Sequence, residues 1–124
     1  MTPQWTAGSM IVLIVEDNPL LMLSLVDFVE AADCEAVEAT SVDQAIHILE
    51  TRSDIRTVLT DLDMRGSTAG INLALAIRGR WPPIELLMVS SQPWDDAQLP
   101  ERGVVFGKPF DRRQIVATIR KFAA

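Results

Sequence analysis

Apolar runs too short to be helices alternate five times along this chain with segments of helical period, and that alternation leaves few folds open. Met10–Val15, Ile55–Thr60, Glu85–Val89 and Val104–Phe106 are the clear runs, with a weaker one at Glu35–Ala39. A strand buried on both faces reads as a continuous apolar stretch rather than an alternating one. Strands separated by amphipathic helices imply a parallel sheet covered on both faces. An α/β domain is therefore expected.

The intervening segments carry helix start and stop signals. Asn18-Pro19 opens the first helix, with Asn as cap and Pro where a missing N–H does no harm, and Leu20, Leu21, Leu23, Leu25, Val26, Phe28 and Val29 are expected to give it a broad buried face. Ser41 and Gln44 read as a capping box for a second helix over Val42–Glu50, with Ala45, Ile46 and Leu49 inward. Gly70–Arg80 is the third, stopped by Trp81-Pro82-Pro83. Asp111 caps a last helix built on Ile115, Val116, Ile119 and Phe122. Between Gln92 and Arg102, Pro93 and Pro100 leave room for one or two helical turns at most.

Composition narrows the function classes. A chain of 124 residues with 48% apolar content suits one core. A net charge of −6 argues against a nucleic-acid footprint, because phosphate backbones attract Lys/Arg-rich faces. The single cysteine, Cys34, has no internal disulfide partner and fits a reducing compartment. The lead MTPQWTAGSM lacks a cationic region, and the following apolar run of six residues is too short for a signal peptide or a membrane span. A cytoplasmic location is expected, with residues 1–9, including Trp5, as a flexible lead outside the fold. His47 is expected on the surface; Met22, Met64 and Met88 are expected to fill the core.

Chemistry-bearing residues follow the apolar runs. Glu16-Asp17 comes after the first, Asp61 after the third with Asp63 close behind, Ser90-Ser91 after the fourth and Lys108 after the fifth. Ligands of open parallel sheets collect beyond the carboxyl ends of the strands, so these groups should converge at one edge. Oxygen ligands of this kind suit magnesium.

In this order the motifs resemble the receiver domain of bacterial response regulators, over Met10 to Ala124. Glu16-Asp17 is similar to that family's acidic pair, Asp61 in Thr60-Asp-Leu-Asp-Met64 to its phospho-accepting aspartate, Ser90 to its switch hydroxyl, and Lys108-Pro109-Phe110 to its lysine and following proline. The resemblance implies a flavodoxin-like five-stranded parallel sheet of order 2-1-3-4-5 and a cis bond between Lys108 and Pro109. It implies Mg²⁺ held by Asp17 and Asp61 side chains and the Asp63 backbone carbonyl, with Glu16 acting partly through water. Ser90, Lys108 and the backbone N–H groups of Asp63 and Ser91 would hold phosphoryl oxygens. The implied function is a stand-alone receiver in a phosphorelay, a monomer or weak dimer. It would be charged by a histidine kinase or histidine phosphotransfer protein and would act on a downstream protein without touching DNA or membrane.

Three departures from that pattern bear on output. Arg65 stands where the family has proline, and the loop Arg65–Ala69 is one residue longer than usual. Ser90 to Lys108 spans only eighteen steps, so the fourth helix is expected to be short or irregular. Val105 takes the place of the family's aromatic switch residue, with Phe106 one position on and, by strand alternation, on the other face. No output segment follows Phe122 in the sequence, which points to protein–protein contact. Asp61-Leu-Asp63 also imitates the two-aspartate motif of haloacid-dehalogenase-like phosphatases. Those enzymes place a further acidic pair after the lysine, whereas here Glu16-Asp17 precedes everything. A phosphorylation-independent interaction module is the third class.

Overall fold

A computed structural model describes residues 9–64 and 68–124. The elements run β1 (Ile11–Val15), α1 (Pro19–Ala31), β2 (Glu35–Ala39), α2 (Val42–Thr51), β3 (Ile55–Asp61), α3 (Ala69–Arg80), β4 (Glu85–Ser90), a single 3-10 turn (Asp96–Gln98), β5 (Val104–Gly107) and α4 (Arg112–Ala123). All strand pairs are parallel, in the order β2-β1-β3-β4-β5. The order is the expected one, and the segment between β4 and β5 keeps only that one turn of helix. The lead at residues 1–8, Trp5 among them, and Arg65 lie outside the described residues.

Alternation along each strand sends side chains into two layers. Val12, Ile14, Leu59, Leu87 and Val89 meet Leu25, Phe28 and Val29 of α1 and Ile115, Val116 and Ile119 of α4. Leu13, Val15, Val58 and Leu86 face the other way, against Ala45 and Leu49 of α2 and Leu73 and Ile77 of α3. Each such fully buried aliphatic side chain is worth about 1.5–3 kcal/mol of transfer free energy. A third, smaller group joins Leu62, Ile71, Ala74 and Met88, with Trp94, Leu99 and Val105 packed against it beneath the 3-10 turn.

Caps form as the sequence implies. The Asn18 side chain accepts from the Leu20 and Leu21 amides, Ser41 from Gln44 and Asp111 from Arg113. Gln44 reaches back to the Thr40 amide at 2.7 Å, one residue beyond the usual capping-box partner. Beyond α3, Arg78 clamps three carbonyls: Nε donates to Glu101 O at 2.8 Å, and Nη1 to Pro82 O and Ile84 O, both at 2.7 Å. Met22, Met64, Met88 and Cys34 are buried and His47 is exposed.

The broad face expected for α1 is narrower. Met22, Leu25, Phe28 and Val29 make the buried stripe, while Leu20 and Leu23 are 77% and 68% exposed. Residues three and four apart share a helix face, and Leu20 and Leu23 form their own row opposite the sheet. The run is so uniformly apolar that its period could not select a face. Leu75 of α3 is likewise exposed.

Candidate functional site

In this strand order β1 lies between β2 and β3, so the chain reverses its direction of sheet growth beside β1. The crevice beyond the carboxyl ends of β1 and β3 is the natural ligand position in such a sheet. Val15 is paired with Thr60 there, and Asp61 with Val89. The ladder extends past the strands through Leu62 N to Val89 O and Lys108 N to Ser90 O, each 2.9 Å. Glu16, Asp61, Ser90 and Lys108 are thereby delivered to one edge at one level.

Close helix packing fixes the end of β3. Gly70, in the first turn of α3, sits so near β3 that a Cβ there would lie 2.5 Å from Asp61 O and 2.7 Å from Leu62 Cα. Only glycine allows that approach.

At the centre, Lys108 Nζ donates to both Asp61 oxygens at 2.9 Å and lies 3.2 Å from Asp63 Oδ2. The Lys108–Pro109 peptide is cis, as expected. Desolvation alone would push the ammonium down; the hydrogen bonds and charges of Asp61 and Asp63 outweigh it and hold Lys108 above its ordinary value. Asp61 Oδ1 also accepts the Asp63 amide at 2.8 Å, so that N–H serves the Asp61 carboxylate itself.

Glu16 is buried, with Oε2 accepting from the Asn18 amide at 3.0 Å and Oε1 without a partner. Burial, and then the neighbouring Asp61 carboxyl, push it up to about 8. Such a pair is satisfied by a shared proton or by a cation. An orphaned, buried carboxyl oxygen in an all-oxygen donor set fits a hard divalent ion. Asp17 is exposed and borders a groove with Ser41, Val42 and Met64. Among the described residues no three acidic, histidine or cysteine side chains are already gathered as a metal cluster.

Asp63 does more than its sequence role implied. Its Oδ1 accepts from Ser90 Oγ at 2.7 Å and its Oδ2 from the Ser91 amide at 2.6 Å. Desolvation raises this carboxyl, but the bonds from Ser90, Ser91 and Lys108 outweigh it and hold it below the usual range. Ser90 Oγ in turn accepts from the Gln92 amide at 3.1 Å and from the Trp94 indole at 3.0 Å. Sequence reasoning missed Trp94. Its only signal was an aromatic residue four positions after the hydroxyl in a proline-bounded loop. Val105 packs beside Trp94, whereas Phe106 faces α1 and α4, as alternation requires.

A further surface concavity lies elsewhere, at the amino end of the sheet around Ile55, Trp81, Pro82 and Ile84. None of the residues just described lines it. Among the described residues no helix is long and apolar enough to cross a membrane.

Comparison with known proteins agrees with this geometry. The model of the response regulator receiver domain matches residues 12–120. A response regulator receiver protein from Pseudomonas putida superposes with a TM-score of 0.80 at 24% identity, over 94% of this chain and 99% of the other. A CheY-like receiver domain protein from Methanospirillum hungatei gives 0.80 at 18%, over 93% and 94%. The anti-anti-sigma factor PhyR from Bartonella quintana gives 0.79 at 22%, over 93% of this chain and 48% of that one. No curated protein sequence matches the chain. The family match covers nearly the whole chain, and the sheet order agrees with it: this chain belongs to the response regulator receiver domain family.

Proposed function

We propose that the protein accepts a phosphoryl group on Asp61 from the phosphohistidine of a kinase or phosphotransfer protein, with Mg²⁺, and signals by contact with a downstream protein. One observation carries the reading: a carboxylate 4% exposed at the end of β3 is held by an ammonium 2.9 Å from both of its oxygens. In the transfer, an Asp61 oxygen bonds to phosphorus in line as the N–P bond breaks and the histidine nitrogen keeps the electron pair. Little covalent work falls to the protein, and positioning and charge stabilisation dominate. Lys108 supplies one cation. Bound Mg²⁺, held by Asp17, Asp61 and the Asp63 carbonyl with Glu16 behind them, would neutralise further charge on the equatorial oxygens. Ser90 and the Ser91 amide supply hydrogen bonds to those oxygens.

The test is intact-mass labelling with acetyl phosphate and Mg²⁺. The parent protein should gain one phosphoryl group and Asp61→Asn none. Full labelling of Asp61→Asn would show that another carboxylate is the acceptor. In the same preparation, Asp17→Ala should weaken Mg²⁺ binding by calorimetry; an unchanged affinity would remove Asp17 from the metal set.

A further inference from the structure

Every donor proton assigned to the phosphoryl group is already committed. A serine hydroxyl has one proton, and that of Ser90 goes to Asp63 Oδ1 at 2.7 Å. The Ser91 amide has one, given to Asp63 Oδ2 at 2.6 Å. An ammonium has three; Lys108 directs two at the Asp61 oxygens at 2.9 Å, and Asp63 Oδ2 lies 3.2 Å away. The Asp63 carboxylate thus gathers onto itself the hydroxyl, the amide and the ammonium that would meet phosphoryl oxygens. It presents two anionic oxygens to them, much as a phosphoryl group would.

We infer that the Asp63 side chain is a built-in occupant of the phosphoryl pocket, an internal anion that an incoming phosphoryl group must displace before Asp61 can react. The inference rests on the phospho-acceptor reading and adds a gate to it. Because the Ser90 hydroxyl and the Ser91 amide each have one proton and serve one acceptor at a time, occupancy by Asp63 and by a phosphoryl group are mutually exclusive. Like charge adds to the competition, since a carboxylate left beside the phosphoryl oxygens would repel them. Displacement also reaches the surface. Once Ser90 turns its proton to a phosphoryl oxygen, Oγ moves relative to the Trp94 indole that it holds at 3.0 Å, so the gate and the β4–β5 loop report on one another.

Asp63→Ala keeps the backbone carbonyl and removes the occupant; Asp63→Asn keeps its shape and removes the charge. With acetyl phosphate at saturating Mg²⁺, Asp63→Ala should label on the order of tenfold faster than the parent, the factor expected if one net charge-assisted hydrogen bond separates the closed and open arrangements. Asp63→Asn should fall between. Beryllofluoride affinity, read by Trp94 fluorescence, should rise in the same order. Independently of phosphorylation, the Ser91 amide proton should resonate downfield in the parent and move upfield in both variants, as expected on loss of a charged acceptor. Equal labelling rates in parent and folded variants, or an unmoved Ser91 amide, would overturn the gate and leave Asp61 as acceptor. Failure of all three proteins to label would overturn the acceptor reading, and the gate with it.

Discussion

Two glycines of α3 should respond to the same substitution with opposite sign. Gly79→Ala places a methyl where nothing lies within 4 Å, so it should gain about 0.5–1 kcal/mol, the usual advantage of alanine over glycine in a helix. Gly70→Ala places one 2.5 Å from Asp61 O and 2.7 Å from Leu62 Cα. Ordinary carbon contacts lie near 3.5 Å, so helix and strand must part by about 0.7–1 Å, and overpacking of this kind costs about 1–3 kcal/mol. The clashing atoms are backbone, which cannot swing aside as a flexible side chain could. The two variants should therefore differ by about 1.5–4 kcal/mol. For a domain of this size that is about 5–20 °C in melting temperature. Thermal unfolding followed by circular dichroism at matched protein concentration measures it directly. Because the shifted peptide carries Asp61, Gly70→Ala should also label more slowly from acetyl phosphate, whereas Gly79→Ala should match the parent. If both variants gain stability equally, the close approach of α3 to β3 is wrong.

Other perturbations probe separate parts of the molecule. Replacing Leu20 and Leu23 together by serine should change stability by about 0.5 kcal/mol or less, because both are exposed; a loss above 2 kcal/mol in urea unfolding would show that they pack against the fold. Arg78→Met removes three carbonyl clamps and should cost about 2–3 kcal/mol. Arg78→Lys should recover less than half of it, since a single ammonium cannot reproduce the fork; full recovery would mean that charge alone mattered. Burial, and then the charge of Asp33, raise the Cys34 thiol above its ordinary value. Less thiolate is present at a given pH, and the associated stability is full below the free-thiol value and lost as pH rises through the folded one. Alkylation of Cys34 at pH 8 should be at least about tenfold slower in the folded protein than in urea; equal rates would contradict its burial.

The fold was legible because two signals agreed. Continuous apolar runs gave five strands, and the caps at Asn18, Ser41 and Asp111 gave the starts of three of the four helices. The edge residues were legible for a related reason: a strand's end is marked by where its apolar run stops, and Asp61, Ser90 and Lys108 stand there. Which side chains of α1 face inward was not legible, since the eight apolar residues from Leu20 to Val29 satisfy more than one stripe. The role of the Asp63 carboxylate was not legible either. It depends on a turn that brings residue 63 back onto Ser90 and Ser91, a contact spanning 27 and 28 positions, and no local pattern encodes such a distance. Trp94 was hidden likewise, in a loop whose prolines erase any period.

Beneath the 3-10 turn, the far edge of the sheet has thin cover. Leu62, Ile71, Ala74 and Met88 are the buried side chains there, with Trp94, Leu99 and Val105 only half-covered, while the two main layers are each closed by a pair of full helices. Free energies of local opening scale with the apolar area an element shields. Residues 91–103 should therefore act as a cooperative unit of their own, opening many times for each global unfolding event. Amide hydrogen exchange would find them near the bottom of the protection scale and the β1 and β3 amides at the top. A partner that recognises this edge then meets an ensemble rather than a fixed surface, and its affinity is set by the fraction of molecules already in the arrangement it requires. Modest energies at the strand ends, applied through Ser90 and Trp94, can move that fraction a long way.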